Sequence, residues 1–165
     1  MTDTSGVTVG QLLERDHRRI DEGFERFSGS LAGPTADLAA FEDAARALRH
    51  HIYVEEVYHF PVVRASGLMA PVLVMLREHG EIWDLLDAIT EALDRDDVAT
   101  ASSHWPRLAN VLEQHNAKEE RIVYPAGDQQ LPTQIASTIT AALATRETPS
   151  GWTCEMAGRR APGDS

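Results

Sequence analysis

The sequence predicts an all-α protein, an antiparallel up-down four-helix bundle with a short fifth helix at its C-terminal end. Three observations predict it. Apolar residues recur at helical spacing through four long segments. The breaks between these segments are short and carry Gly, Pro or Asp. The second pair of segments repeats the polar pattern of the first.

The first helix opens on Thr8, which with Gln11 reads as a capping box. Leu12, Leu13, Ile20, Phe24 and Phe27 form its apolar stripe, with His17 on or beside it, and Gly29 and Gly33-Pro34 end it. Thr35 is the expected N-cap of the second helix, which carries Leu38, Phe41, Ala45, Leu48, Ile52 and Tyr58 and is expected to stop near Phe60-Pro61. Gly67 separates it from the third, where Pro71 fits the first turn and Leu73, Leu76, Trp83, Leu86, Ile89 and Leu93 face inward. Asp94 to Asp97 is a turn. The fourth helix is clear from Leu108 to Tyr124; it begins either near Val98, with a kink at Pro106, or at a Ser103 cap with Pro106 in its first turn. A fifth helix fits Thr133 to Thr145. The expected organisation is an N-terminal tail over 1–7, the bundle over 8–147 and a flexible tail over 148–165, with Trp152 able to pin part of it.

Composition narrows the function. A chain of 165 residues suits one domain, and 42 % hydrophobic with 25 % charged residues is ordinary for a globular protein. The apolar run Leu68 to Leu76 is too short to span a bilayer, and Met1 to Gly10 holds no basic and apolar leader, so a cytoplasmic protein is expected. A net charge of -11 repels nucleic acid and anionic membranes, and neither is expected as a partner. The single cysteine, Cys154, makes no intramolecular disulfide or thiolate cluster and reads as a bystander. No protein partner is indicated.

The histidines are the informative residues. His51-Ile-Tyr-Val-Glu55-Glu56-Val-Tyr-His-Phe60-Pro61 and His115-Asn-Ala-Lys-Glu119-Glu120-Arg-Ile-Val-Tyr124-Pro125 share the pattern H-x3-E-E-x3-[FY]-P. Asp16-His17-Arg-Arg-Ile20 and Glu78-His79-Gly-Glu-Ile82 share [DE]-H-x2-I. His17 precedes His51 by 34 residues and His79 precedes His115 by 36, so the chain is a pair of similar helical hairpins. Residues four apart share a helix face, which brings His51 to Glu55 and His115 to Glu119. Each hairpin thus supplies two imidazoles and one carboxylate, the donor set of a non-haem iron site. Two such sets face to face would hold two metals, with Glu55 and Glu119 bridging because a carboxylate has two oxygens and an imidazole one lone pair. Counting donors leaves about two coordination positions for an exogenous ligand such as O2, NO or peroxide.

The pattern H…H-x3-E…H…H-x3-E over about residues 10–145 resembles the hemerythrin-like, or HHE cation-binding, domains, and is similar to bacterial members including actinobacterial ones. The resemblance implies a di-iron centre with an oxo or hydroxo bridge, held by His17, His51, Glu55, His79, His115 and Glu119. Oxygen carriers of that family have a further His on the third helix; here Met75 and Trp83 stand one turn from His79. That departure points away from reversible oxygen carriage and toward a catalase-like disproportionation of peroxide, with non-enzymatic O2, NO or iron binding, sensing or storage as the alternative. Tyr58 and His59, three and four residues past Glu55, are the candidates for an additional ligand. Met75, Trp83 and Leu86 are expected to form an apolar wall. His50, Glu56 and Glu120 are offset from the ligand face, behind the ligands or in solvent.

Overall fold

The computed structural model describes residues 6–159, so the outer parts of the two predicted tails lie outside the described residues. Helix α1 (Val9–Ser30) begins with both halves of its capping box formed: Gln11 N–H donates to Thr8 Oγ1 at 3.1 Å and Thr8 N–H to Gln11 Oε1 at 3.0 Å. Helix α2 (Leu38–Val54) is capped by Asp37 rather than the expected Thr35. The Asp37 carboxylate accepts from Ala40 N–H at 3.0 Å, while its own N–H donates to Ser30 Oγ at 2.7 Å, which ties the cap to the end of α1.

The second helix does not stop at Phe60-Pro61. It widens into a π-turn over Glu55–His59 and continues as α3 (Phe60–Ala65). Phe60 N–H reaches the Glu55 carbonyl, five residues back, and Pro61 falls in the first turn of α3, where no N–H is required of it. Helix α4 (Met69–Asp94) follows with Pro71 in its first turn. Helix α5 (Val98–Lys118) starts on an Asp97 cap and runs through Pro106, so the earlier of the two expected starts is adopted. It too widens at its glutamate, Glu119–Val123, before α6 (Tyr124–Gln130). Helix α7 (Thr133–Thr145) matches the expected fifth helix.

Helix α1 packs along α2 and α4 along α5. Among the described residues the core is two apolar clusters. One gathers Phe24, Phe27, Phe41, Leu86, Ile89 and Leu108 and their neighbours; the other gathers Leu13, Phe60, Met75, Val123 and Ile139 and theirs. Along every long helix the inward-facing His or Glu falls between the residues of these two clusters, so the polar layer is closed off by hydrocarbon on both sides.

Beyond α7 the chain turns back at Arg146, in left-handed conformation, and residues 148–159 lie on the bundle instead of leaving it. Trp152 wedges between Tyr53 and Trp83, with ring centroids 5.2 and 5.6 Å away. Glu155 N–H donates to Glu56 Oε2 at 2.9 Å and Gly158 N–H to Asp84 Oδ1 at 2.8 Å. Gly80 lets this strap approach: a Cβ there would lie 2.5 Å from the Met156 carbonyl oxygen. No helix among the described residues is long and apolar enough to cross a membrane.

Candidate metal centre

The two His-x3-Glu turns and the two lone histidines meet at mid-height in the bundle. Two groups of donors form there, His17, His51, Glu55 and Glu119 in one, and Glu55, His79, His115 and Glu119 in the other. Within each group the ligand atoms lie within 4.8 Å of one another. All six residues are buried, none more than 3 % exposed.

Glu55 and Glu119 belong to both groups because their oxygens diverge. Glu55 Oε1 is 3.2 Å from His51 Nε2 and its Oε2 is 3.2 Å from His79 Nε2. Glu119 Oε2 is 3.2 Å from His17 Nε2 and its Oε1 is 3.0 Å from His115 Nε2. Each carboxylate therefore faces one half with each oxygen.

All four histidines present Nε2 inward because a carboxylate stands behind each ring. Nδ1 of His51 lies 2.8 Å from Asp16, that of His79 2.8 Å from Glu56, that of His115 2.9 Å from Glu78 and that of His17 2.9 Å from Glu120. An ionised carboxylate only accepts, so Nδ1 carries the proton and Nε2 is left to bind. The sequence explains the pairing. The acid before each first-helix His serves the second-helix His of its own hairpin; the acid after each ligand Glu serves the other hairpin's first-helix His. The sequence reading leaves Glu56 and Glu120 between solvent and the back of the site, and Asp16 and Glu78 unassigned; all four stand behind the rings.

Without a cation the centre holds itself together with protons. Burial alone would lower His51, yet the Glu55 charge and the Asp16 hydrogen bond carry it up to about 10. Burial and the neighbouring Glu119 would raise Glu55, but the His51 charge and its hydrogen bonds bring it down to about 2. His17, His79 and His115 are likewise raised against burial by their carboxylates, and Glu119 is held well below the ordinary range by His115, His17 and His79. Protons do not satisfy everything. Glu55 Oε2, His79 Nε2 and Glu119 Oε1 are buried without a hydrogen-bond partner among the described residues, and all three point into the His79/His115 half. Buried polar atoms so placed fit a cation that all three can reach.

Tyr124, absent from the sequence-derived candidates, stands in the other half. Its Oη donates to Glu55 Oε1 at 2.7 Å and lies 2.9 Å from His17 Nε2, 3.1 Å from His51 Nε2 and 3.1 Å from Glu119 Oε2. In an α-helix a residue five past Glu119 would point roughly 140° away from it. The π-turn takes up that extra residue and returns Tyr124 to the ligand face. The matching residue of the first hairpin, Phe60, has no hydroxyl and stacks on His79 at 5.3 Å and 14°.

The two residues predicted as an additional ligand do not reach the centre. The π-turn swings Tyr58 outward, where its hydroxyl pairs with that of Tyr53 at 3.2 Å. His59 is fully buried but belongs to neither donor group, packs perpendicular to Tyr124 at 5.6 Å and occupies the space left by Gly127. Its ring nitrogens have no partner among the described residues, and burial lowers its pKa. Met75, Trp83 and Leu86 are buried as expected, Met75 in the cluster that contains Phe60, the other two in the larger cluster. His50 lies behind the ligand face, with Nδ1 near Thr148 Oγ1 and Nε2 near the Ala142 carbonyl.

A family model described as Hemerythrin HHE cation binding domain matches residues 8–127. No curated protein and no solved structure matches the chain.

Proposed function

Because the chain belongs to the hemerythrin HHE cation-binding family, a family of metal-binding helical proteins, we propose that it holds two iron ions and uses them to disproportionate hydrogen peroxide. One ion would take His17, His51 and Tyr124, the other His79 and His115, with Glu55 and Glu119 shared. When bound, such a pair supplies reversible two-electron redox chemistry and open positions for a small oxidant. The balance is two H2O2 giving one O2 and two H2O.

The observation that carries the reading is the Tyr124 hydroxyl among four donors of one half. Burial and the two carboxylates push the Tyr124 phenol well above its usual range, so the metal-free chain keeps it protonated. Beside a multivalent cation the phenol would give up its proton and offer a hard anionic oxygen. Such an oxygen would favour the ferric level over reversible oxygen carriage. The carboxylates behind the rings hold the imidazoles in one tautomer, and the apolar clusters exclude bulk water.

The test is iron analysis of the reconstituted protein followed by oxygen evolution from added peroxide. About two irons per chain with steady oxygen release supports the reading. The competing reading, equally compatible with the family and the donor set, is a binder or sensor of O2 or NO that does not turn over. Repeated reversible oxygenation with no oxygen release would establish that reading instead.

A further inference from the structure

The two hairpins correspond residue by residue, so each half of the centre is flanked by an equivalent groove. One runs between α2 and α4 past Glu56 and His79; its counterpart runs between α1 and α5 past Glu120 and His17. The strap fills the first. Trp152 lies on Tyr53 and Trp83, Met156 on Gly80, and the Glu155 N–H closes over Glu56. The second is an open groove of about 430 Å³.

The sequence explains why only one groove is filled. In the open groove Arg18 stands at the register position of Gly80, where any Cβ would collide with the strap backbone. Asp21 replaces Trp83 and Ala117 replaces Tyr53, which removes both aromatic faces that seat Trp152. The consequence shows in the two equivalent carboxylates: the Glu56 side chain is 6 % exposed and that of Glu120 is 37 % exposed. His17 itself lines the open groove.

Resting on the proposed metal centre, we infer that the α1/α5 groove is the route by which small solutes reach it, arriving at the His17 half past Glu120, and that the strap seals the equivalent route to the His79 half. Access is thereby one-sided in a centre built by duplication. Solutes enter beside Tyr124, and the half with three unpartnered polar atoms is reached only through the centre.

The test is the association rate of nitric oxide with the reduced, iron-loaded protein, followed by stopped-flow absorbance. Ala117→Trp places a side chain in the groove on an exposed position, and it should slow association about tenfold or more at unchanged iron content. A chain ending at Ser150 should bind nitric oxide faster, and Ala117→Trp should slow it less. If the shortened chain does not fold, Gly80→Arg, which lifts the strap locally, gives the same comparison. Full iron content with a rate unaffected by Ala117→Trp overturns the route. A folded chain that takes up no iron overturns the proposed function, and the route with it.

Discussion

Among the described residues, the Tyr124 hydroxyl is the one side-chain oxygen at the centre that has no counterpart in the other half. Tyr124→Phe gives both halves the same ring. The variant is expected to keep its iron, to lose the visible absorption of an iron-bound phenolate, and to lose about tenfold or more in peroxide turnover. An unaltered spectrum would remove Tyr124 from the ligands. That the six His and Glu residues meet was legible in the sequence: a spacing of four has one meaning on an α-helix for His51 with Glu55 and His115 with Glu119, and the repeated [DE]-H-x2-I pattern marks His17 and His79. Tyr124 was not, because its distance of five residues is meaningful only in a π-turn, and the sequence does not announce one. The equivalent turn over Glu55–His59 carries Tyr58 outward to Tyr53 and leaves His59 outside both donor groups. The protonated centre also sets a pH dependence for the metal-free protein. His51 is raised from 6.5 to about 10, so its contribution is complete below 6.5 and is lost as pH rises toward about 10. Glu55 is lowered from 4.5 to about 2, so its contribution holds above 4.5 and is lost as pH falls toward about 2. Urea midpoints of the metal-free protein should therefore peak between these windows and decline on the alkaline side, while metal uptake becomes tighter in the same direction as the imidazoles lose their protons.

Among the elements, the strap departs furthest from expectation. Residues rich in Gly, Pro and Arg read as a tail because nothing in their own pattern is periodic; their order comes from Trp152, two backbone N–H groups and the bare Cα of Gly80. Cys154 reports on it. The thiol is buried to 3 % exposure, and burial together with Glu56 pushes it up to about 11, so it should react slowly with thiol reagents. Gly80→Ala is expected to raise the labelling rate about tenfold by loosening the strap. Equal rates in the two proteins would mean the strap tolerates the methyl group. Helix existence was otherwise well marked: α7 coincides with its expected range because its apolar residues are bounded by Pro132 and the Arg146 turn. Ends were harder. Asp37 outcompetes Thr35 because Ser30 holds its backbone, a contact between helices that no local pattern records.

At the level of the whole molecule, the duplication carried the fold. Two hairpins with the same donor pattern close on one another only if those donors meet, and the bundle follows. The same layer would link stability to a bound cation, since the centre lies between the two apolar clusters of the core. A cation present at a thousand times its dissociation constant adds roughly 4 kcal/mol. Chelation should accordingly lower the thermal midpoint by about 10 °C at neutral pH, read by circular dichroism of loaded and stripped protein. A midpoint that ignores the chelator would mean that the protonated centre is as stable as the loaded one.

The open groove also carries an electrical consequence. Its lining includes Asp21, Glu25, Glu113 and Glu120 against Arg18, on a chain whose net charge is -11. Negative walls on a negative molecule repel anions before they arrive and leave uncharged molecules unhindered. Hydrogen peroxide, dioxygen and nitric oxide pass as neutral species; superoxide, nitrite and azide do so against the field. Raising salt shortens the reach of that field to a few ångströms, so nitrite should bind faster at about 1 M salt than at 0.01 M while nitric oxide keeps its rate. The fold thus sorts its visitors by charge at the rim, before any of them meets a histidine.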